Sequence, residues 1–207
     1  MNNKNNLLYQ LYMLKFFGYN YIHKVNIISN KNVILPNNID ELNHRIINCN
    51  LCELSKNCSN KTINTNIENV NVVILVPELL SNAKYNIIKE ILKIYLQIDI
   101  EDTVILNVIK CETGTIILNE NIIDICKDYT IQEINIINPK IIFSFGNIYK
   151  YIINNVLDIG EFSIYNKRKL FYLNDLNDLL RNPSLILKNK SIFYKIKNEM
   201  EKPWNIL

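Results

Sequence analysis

Three short, almost unbroken apolar runs dominate the middle of the chain: VNVVILV at 70–76, TVILNVI at 103–109 and KIIFSF at 140–145. A strand with one solvated face alternates apolar and polar residues, whereas a strand covered on both faces does not. These runs therefore belong to a sheet buried on both sides. Between them, AKYNIIKEILKIYL at 83–96 and the stretch 119–136 read as helices, and a further helix is expected over 147–157. A short strand or hairpin follows near 162–173, and helices take up roughly 176–200. Continuous strands joined by amphipathic helices call for parallel pairing, right-handed crossovers and helices on both faces. The expected architecture is a three-layer α/β/α sandwich.

Ahead of this core, Leu7, Leu8, Leu11 and Leu14 share one helical face that Gly18 stops, so residues 1–35 read as a helical extension to a domain at 36–207. At 207 residues and 48% hydrophobic, the chain can bury a sizeable single core. A net charge of +3 admits a nucleic-acid partner without demanding one. No run approaches the ~18 apolar residues of a membrane span, and Gln10 and Lys15 break the apolar stretch from Leu7 to Phe17 that a signal peptide would need. A cytoplasmic location is expected, and in that compartment the five cysteines read as thiols or metal ligands before disulfides.

Cysteine spacing is the sharpest chemical signal. Cys49 and Cys52 form a Cys-x2-Cys pair at a helix end, Cys111 directly follows the second apolar run, and Cys126 lies on the next helix. Four thiolates from two separated segments can close a tetrahedral or cubane site. The plain alternative is that Cys111 and Cys126 are ordinary buried thiols. Zinc ribbons carry two narrow Cys-x2-Cys pairs and the second pair here is wide, so an iron–sulfur cluster is at least as good a reading as zinc. Cys58 is a fifth thiol that, with His44, could replace a ligand, and it reads as a bystander in a polar loop. In parallel sheets ligands bind beyond the carboxyl ends of the strands. Those positions are Pro77 and Glu78, Asn107, Gly146, and the loop at Asp175.

The ordered set of Cys49-x2-Cys52, VVILVPE at 72–78, ILNVIKC at 105–111, Cys126, INPKIIFSFG at 137–146 and LLRNPSL at 179–185 resembles the family-4 uracil-DNA glycosylases. The likeness covers about residues 40–200. It implies the four-stranded parallel sheet of the uracil-DNA glycosylase superfamily, a 4Fe–4S cluster on Cys49, Cys52, Cys111 and Cys126, and excision of bases from uracil-containing or single-stranded DNA. By the same resemblance Glu78 stands at the acidic position of the first motif and Asn107 at the uracil-reading asparagine, whose amide suits an imide edge.

Two departures bear on activity. The glycine-rich loop that carries a stacking aromatic is missing, since LLSNAKYN runs straight into a helix, and Tyr85 reads as packing. The family's His-Pro, just before Leu-Leu-Arg-Asn-Pro, is here Asp175 and Leu176; the only histidines are His23 and His44. An ionised Asp repels a departing uracil anion instead of stabilising it. Arg181 could contact phosphate, and Lys167, Arg168 and Lys169 form a basic run. Two functions follow as expectations: a glycosylase relative with Glu78 and Asn107 active, Asp175 as a further catalytic candidate and an altered base pocket, or an inactive 4Fe–4S module that binds nucleic acid or serves a protein partner.

Overall fold

The computed structural model describes Met13 and residues 35–202 apart from 59, 66, 68, 113–119 and 154. The chain divides into two compact units, Met1–Ile34 and Leu35–Leu207. The helix expected over residues 7–17 lies, Met13 aside, outside the described residues. Everything below concerns the second unit.

Two helices precede the sheet: α1 (Ile39–Ile47) and the short α2 (Glu53–Asn57). Asn38 starts α1, its side-chain oxygen accepting from the backbone N–H groups of Asp40 and Glu41. Next come β1 (Val72–Val76) and α3 (Asn82–Glu90). A wider π-helical segment, Ile91–Leu96, extends α3 and stops at Gln97, whose φ is 57°. The chain continues through β2 (Thr103–Asn107), the long α4 (Glu120–Ile137) and β3 (Ile141–Phe145). It ends with β4 (Phe162–Tyr165), β5 (Arg168–Leu173), α5 (Leu176–Arg181), α6 (Ser184–Lys188) and α7 (Lys190–Glu201).

The strands form one sheet in the order β2-β1-β3-β5-β4. All neighbours are parallel except β4, which pairs antiparallel with β5. The expected four parallel strands are therefore present side by side, and the four-stranded count is corrected to five. The reason is local: Asn166 and Lys167 both have positive φ, 46° and 66°. Two consecutive left-handed residues make the tight turn whose twist suits a hairpin, so Phe162–Tyr165 folds back on β5.

Both faces of the sheet are covered. Ile74, Val76, Phe143, Phe145 and Phe171 meet α3, its π extension and the C-terminal helices on one side. Val73, Leu75, Leu106, Ile142 and Leu170 meet α4 and the segment after β3 on the other. Burial on both faces explains why β1 reads VVILV without alternation, with all five residues buried.

The helix expected over 147–157 shrinks to one 3-10 turn, Asn147–Tyr151. The Tyr149 hydroxyl donates to the Leu157 carbonyl (3.1 Å) and accepts from the Leu157 N–H (3.0 Å). A side chain thus satisfies peptide groups that a helix would have bonded, while Ile148, Tyr149, Ile153 and Leu157 all remain buried.

Candidate active-site cleft and thiol patch

Because β2, β1, β3 and β5 are parallel, the loops leaving them emerge at one edge of the sheet. The chain passes from β1 to β2 on one side and then to β3 on the other, so the strand order reverses between β1 and β3. Ligands favour such reversal points. A cleft of about 330 Å³ opens there, lined by Pro77 and Glu78 after β1, Asn147, Ile148 and Tyr151 after β3, Asp175 and Asn177 after β5, and Ile123 of α4. Its size lies at the small end of the range for small-molecule sites.

Two of the expected residues meet in this cleft. Asp175 caps α5, its Oδ1 accepting from the Asn177 N–H at 2.7 Å. Its Oδ2 lies against Gly146: a Cβ placed on that glycine, whose φ is 80°, would come within 2.7 Å of the oxygen. Gly146 therefore supplies both a left-handed turn and the room for this carboxylate. Glu78 is partly buried and its Oε1 lies 3.3 Å from Lys84 Nζ in the first turn of α3. Ser81 caps α3 directly, accepting from the Lys84 N–H, so the chain enters a helix immediately after the Glu78 loop.

Asn107 and Arg181 are not among the residues lining the cleft. Asn107 is buried at the end of β2; its Nδ2 donates to Thr62 Oγ1 (3.2 Å) and its carbonyl accepts from Thr130 Oγ1 (3.4 Å). Arg181 is exposed in the last turn of α5. Within the basic run only Lys167 faces outward, which corrects its reading as a charged surface. Arg168 and Lys169 are each 6% exposed. They point to opposite faces of β5, both covered, where Arg168 donates to Asn138 Oδ1 and Lys169 to the Glu199 carbonyl. Burial lowers the pKa of Arg168.

The cysteines gather beyond the carboxyl end of β2, and Ile123 of α4 packs on them as well as lining the cleft. Cys52, Cys111 and Cys126 are buried together with Leu54, Ile109 and Ile122, and Cys58 packs against the same cluster. Cys49 packs against the neighbouring cluster of Leu42, Ile46 and Tyr129, close enough to help raise the pKa of both Cys126 and Tyr129. Burial first, and then the adjoining Cys58, push the Cys111 thiol up to about 12. Cys126 is likewise raised by burial, with Cys52 and Cys49 adding to the shift and the Lys110 backbone N–H opposing it. Tyr129 is raised first by burial and then by the adjoining Cys49. The thiols are neighbours, not a closed shell: among the described residues no three His, Cys, Asp or Glu side chains form a group that could hold a metal ion as they stand. Their donor type, soft sulfur from three chain segments, is nonetheless that of an iron–sulfur or zinc site. His44 stays exposed, 3.3 Å from Asn48 Nδ2 through its Nε2.

Four participants escaped the sequence reading. Cys58 is no bystander: its Sγ accepts from the Glu112 N–H (3.2 Å) and donates to the Asn60 carbonyl (2.6 Å), and its proximity helps raise the Cys111 pKa. The antiparallel bridge Lys61↔Cys111 brings these segments together, and nothing in a polar loop signals such a pairing. Lys110 and Glu133 form an ion pair that is 3% and 0% exposed, extended by Asn64 Nδ2 donating to Glu133 Oε1 (3.1 Å). A lysine wedged between the apolar NVI and a cysteine was the available hint. Tyr151, the one aromatic among the described residues lining the cleft, could have been sought a few residues beyond the Gly146 strand end.

The chain matches no protein-family model and no curated protein. No helix among the described residues is long and apolar enough to cross a membrane.

Proposed function

We propose that this chain is a uracil-DNA-glycosylase-like iron–sulfur protein that acts on DNA by hydrolysing N-glycosidic bonds, with activity altered from the family's. The observation that carries this reading is the meeting of Glu78 and Asp175, nearly a hundred residues apart, in one cleft at the carboxyl edge of four parallel strands. Cleaving the bond to a flipped-out base needs a pocket for the base and a carboxylate to orient water and balance a cationic sugar. Glu78 suits the second task, and Lys84 fixes its orientation. Arg181, exposed at the end of α5, is available to a DNA phosphate.

Cys49, Cys52, Cys111 and Cys126 would hold a 4Fe–4S cluster, with zinc as the lesser fit. Such a group would cross-link the α1–α2 loop, the segment after β2 and α4, and bring electron-transfer capacity. Binding requires the thiols to close on the metal and lose their protons.

A second reading has its own support. Asn107, the position that would read uracil, is engaged with Thr62 away from the cleft, as a catalytically silent cluster protein that binds nucleic acid or a protein partner would allow. The test is single-turnover formation of abasic sites on oligonucleotides bearing uracil, hypoxanthine or alkylated bases, using anaerobically purified protein beside Glu78→Ala. Abasic sites that vanish in the variant support the first reading; none from any substrate at enzyme excess leaves the second. Visible absorption with iron and sulfide assays tests the cluster, and a colourless, zinc-loaded protein would sink it.

A further inference from the structure

We propose that the cleft takes a cationic N-alkylated purine in DNA in preference to uracil; this rests on the glycosidic reading above and names its substrate class. The inference comes from the charge that lines the cleft. Of its two carboxylates, Glu78 shares its charge with Lys84. Among the described residues Asp175 is in no ion pair, and neither a histidine nor a cationic side chain lines the cleft. The pocket therefore holds negative charge where a base would leave.

The charge carried by the departing base then decides the substrate. When the C1′–N1 bond to uracil breaks, its electron pair stays on the base, which departs as an anion and needs a hydrogen-bond donor or positive charge. Asp175 offers the opposite. In an N7-alkylated guanine the ring is already positive. Breaking the C1′–N9 bond sends the electron pair into that ring, so the base departs neutral and calls for no acid. Water adds to C1′ and its surplus proton passes to a cleft carboxylate, leaving the free base and a 1′-hydroxyl sugar. Before cleavage, an unpaired carboxylate favours the positive ring, and Tyr151 adds an aromatic wall of the kind that attracts cations. The aspartate that replaces the family's histidine is thus a specificity-determining residue, suited to a leaving group that needs no anion stabilisation.

The experiment measures single-turnover base release by the full-length protein from two otherwise identical oligonucleotides, one with 7-methylguanine and one with uracil, net of enzyme-free depurination. Asp175→Asn serves as the variant because Asn keeps the helix-capping oxygen and removes the charge. The expected result is release of 7-methylguanine at least tenfold faster than uracil, with that excess lost in Asp175→Asn. Uracil released as fast or faster would overturn the substrate class and leave the glycosidic reading standing. Release of 7-methylguanine unchanged by Asp175→Asn would overturn the role given to Asp175. No release of either base, nor of any other in the panel above, would remove both readings together.

Discussion

Glu133 is fully buried, and Lys110 keeps 3% of its side chain exposed. Among the described residues, two charges so far from water are held by each other and by Asn64, so breaking the pair leaves one stranded in a low-dielectric interior. Glu133→Leu is expected to destabilise the domain by about 3–5 kcal/mol, and Lys110→Met added to it should recover most of that loss. Urea denaturation of the two variants decides the matter. A double variant no more stable than the single one would show that Lys110 tolerates its site without a counter-ion. The pair also bears on the thiols, because Lys110 directly precedes Cys111 and its backbone N–H contacts Cys126. Individual residues were legible where a strand end dictates position, as for Glu78 and Asp175. They were opaque where the partner is remote in sequence, as Glu133 is from Lys110 and Thr62 is from Asn107.

Among the elements, the β4–β5 hairpin shows how two residues set topology. Asn166 and Lys167 hold left-handed backbone conformations, which Asn tolerates and Lys does not favour. Lys167→Gly relieves that strain, and the exposed Lys167 side chain gives up no packing. The variant is expected to gain about 0.5–1 kcal/mol, seen as a rise in thermal midpoint of roughly 1–4 °C. A lower midpoint would mean that the flexibility Gly gives the unfolded chain outweighs the strain. The same hairpin explains why the parallel strands were readable and the edge strand was only outlined. Doubly buried strands announce themselves by unbroken apolar runs, whereas FSIY, an edge strand with three half-buried residues and one exposed, carries a weak pattern. The segment after β3 misled for a related reason. Its apolar residues suit a helix, and the bonds from the Tyr149 hydroxyl to Leu157 organise it otherwise.

At the scale of the whole molecule, the thiol patch makes stability depend on pH. The Cys111 pKa rises from its usual 9.0 to about 12 in the folded, metal-free protein, chiefly through burial. Between those values the unfolded chain has released a proton that the native state keeps, so stability is full below about pH 9 and declines as pH rises toward 12. Cys126 and Tyr129, both raised by burial, push in the same direction. The urea midpoint of the metal-free protein is expected to drop between about pH 8 and about pH 10.5, with a shallower drop in Cys111→Ser. An equal drop in the variant would assign the effect to other groups.

The amino-acid sequence by itself determined the class of fold, because apolar runs without alternation can be satisfied only by a sheet covered on both faces. It also determined which loops end at the carboxyl edge, and so which residues were candidates for a site. Tertiary structure alone decided which candidates meet. Glu78 and Asp175 share a cleft because β1, β3 and β5 are neighbours, an order no local pattern encodes. Asn107 is drawn instead toward Thr62, and Arg168 and Lys169, on opposite faces of β5, are both buried because helices and loops cover the sheet on both sides.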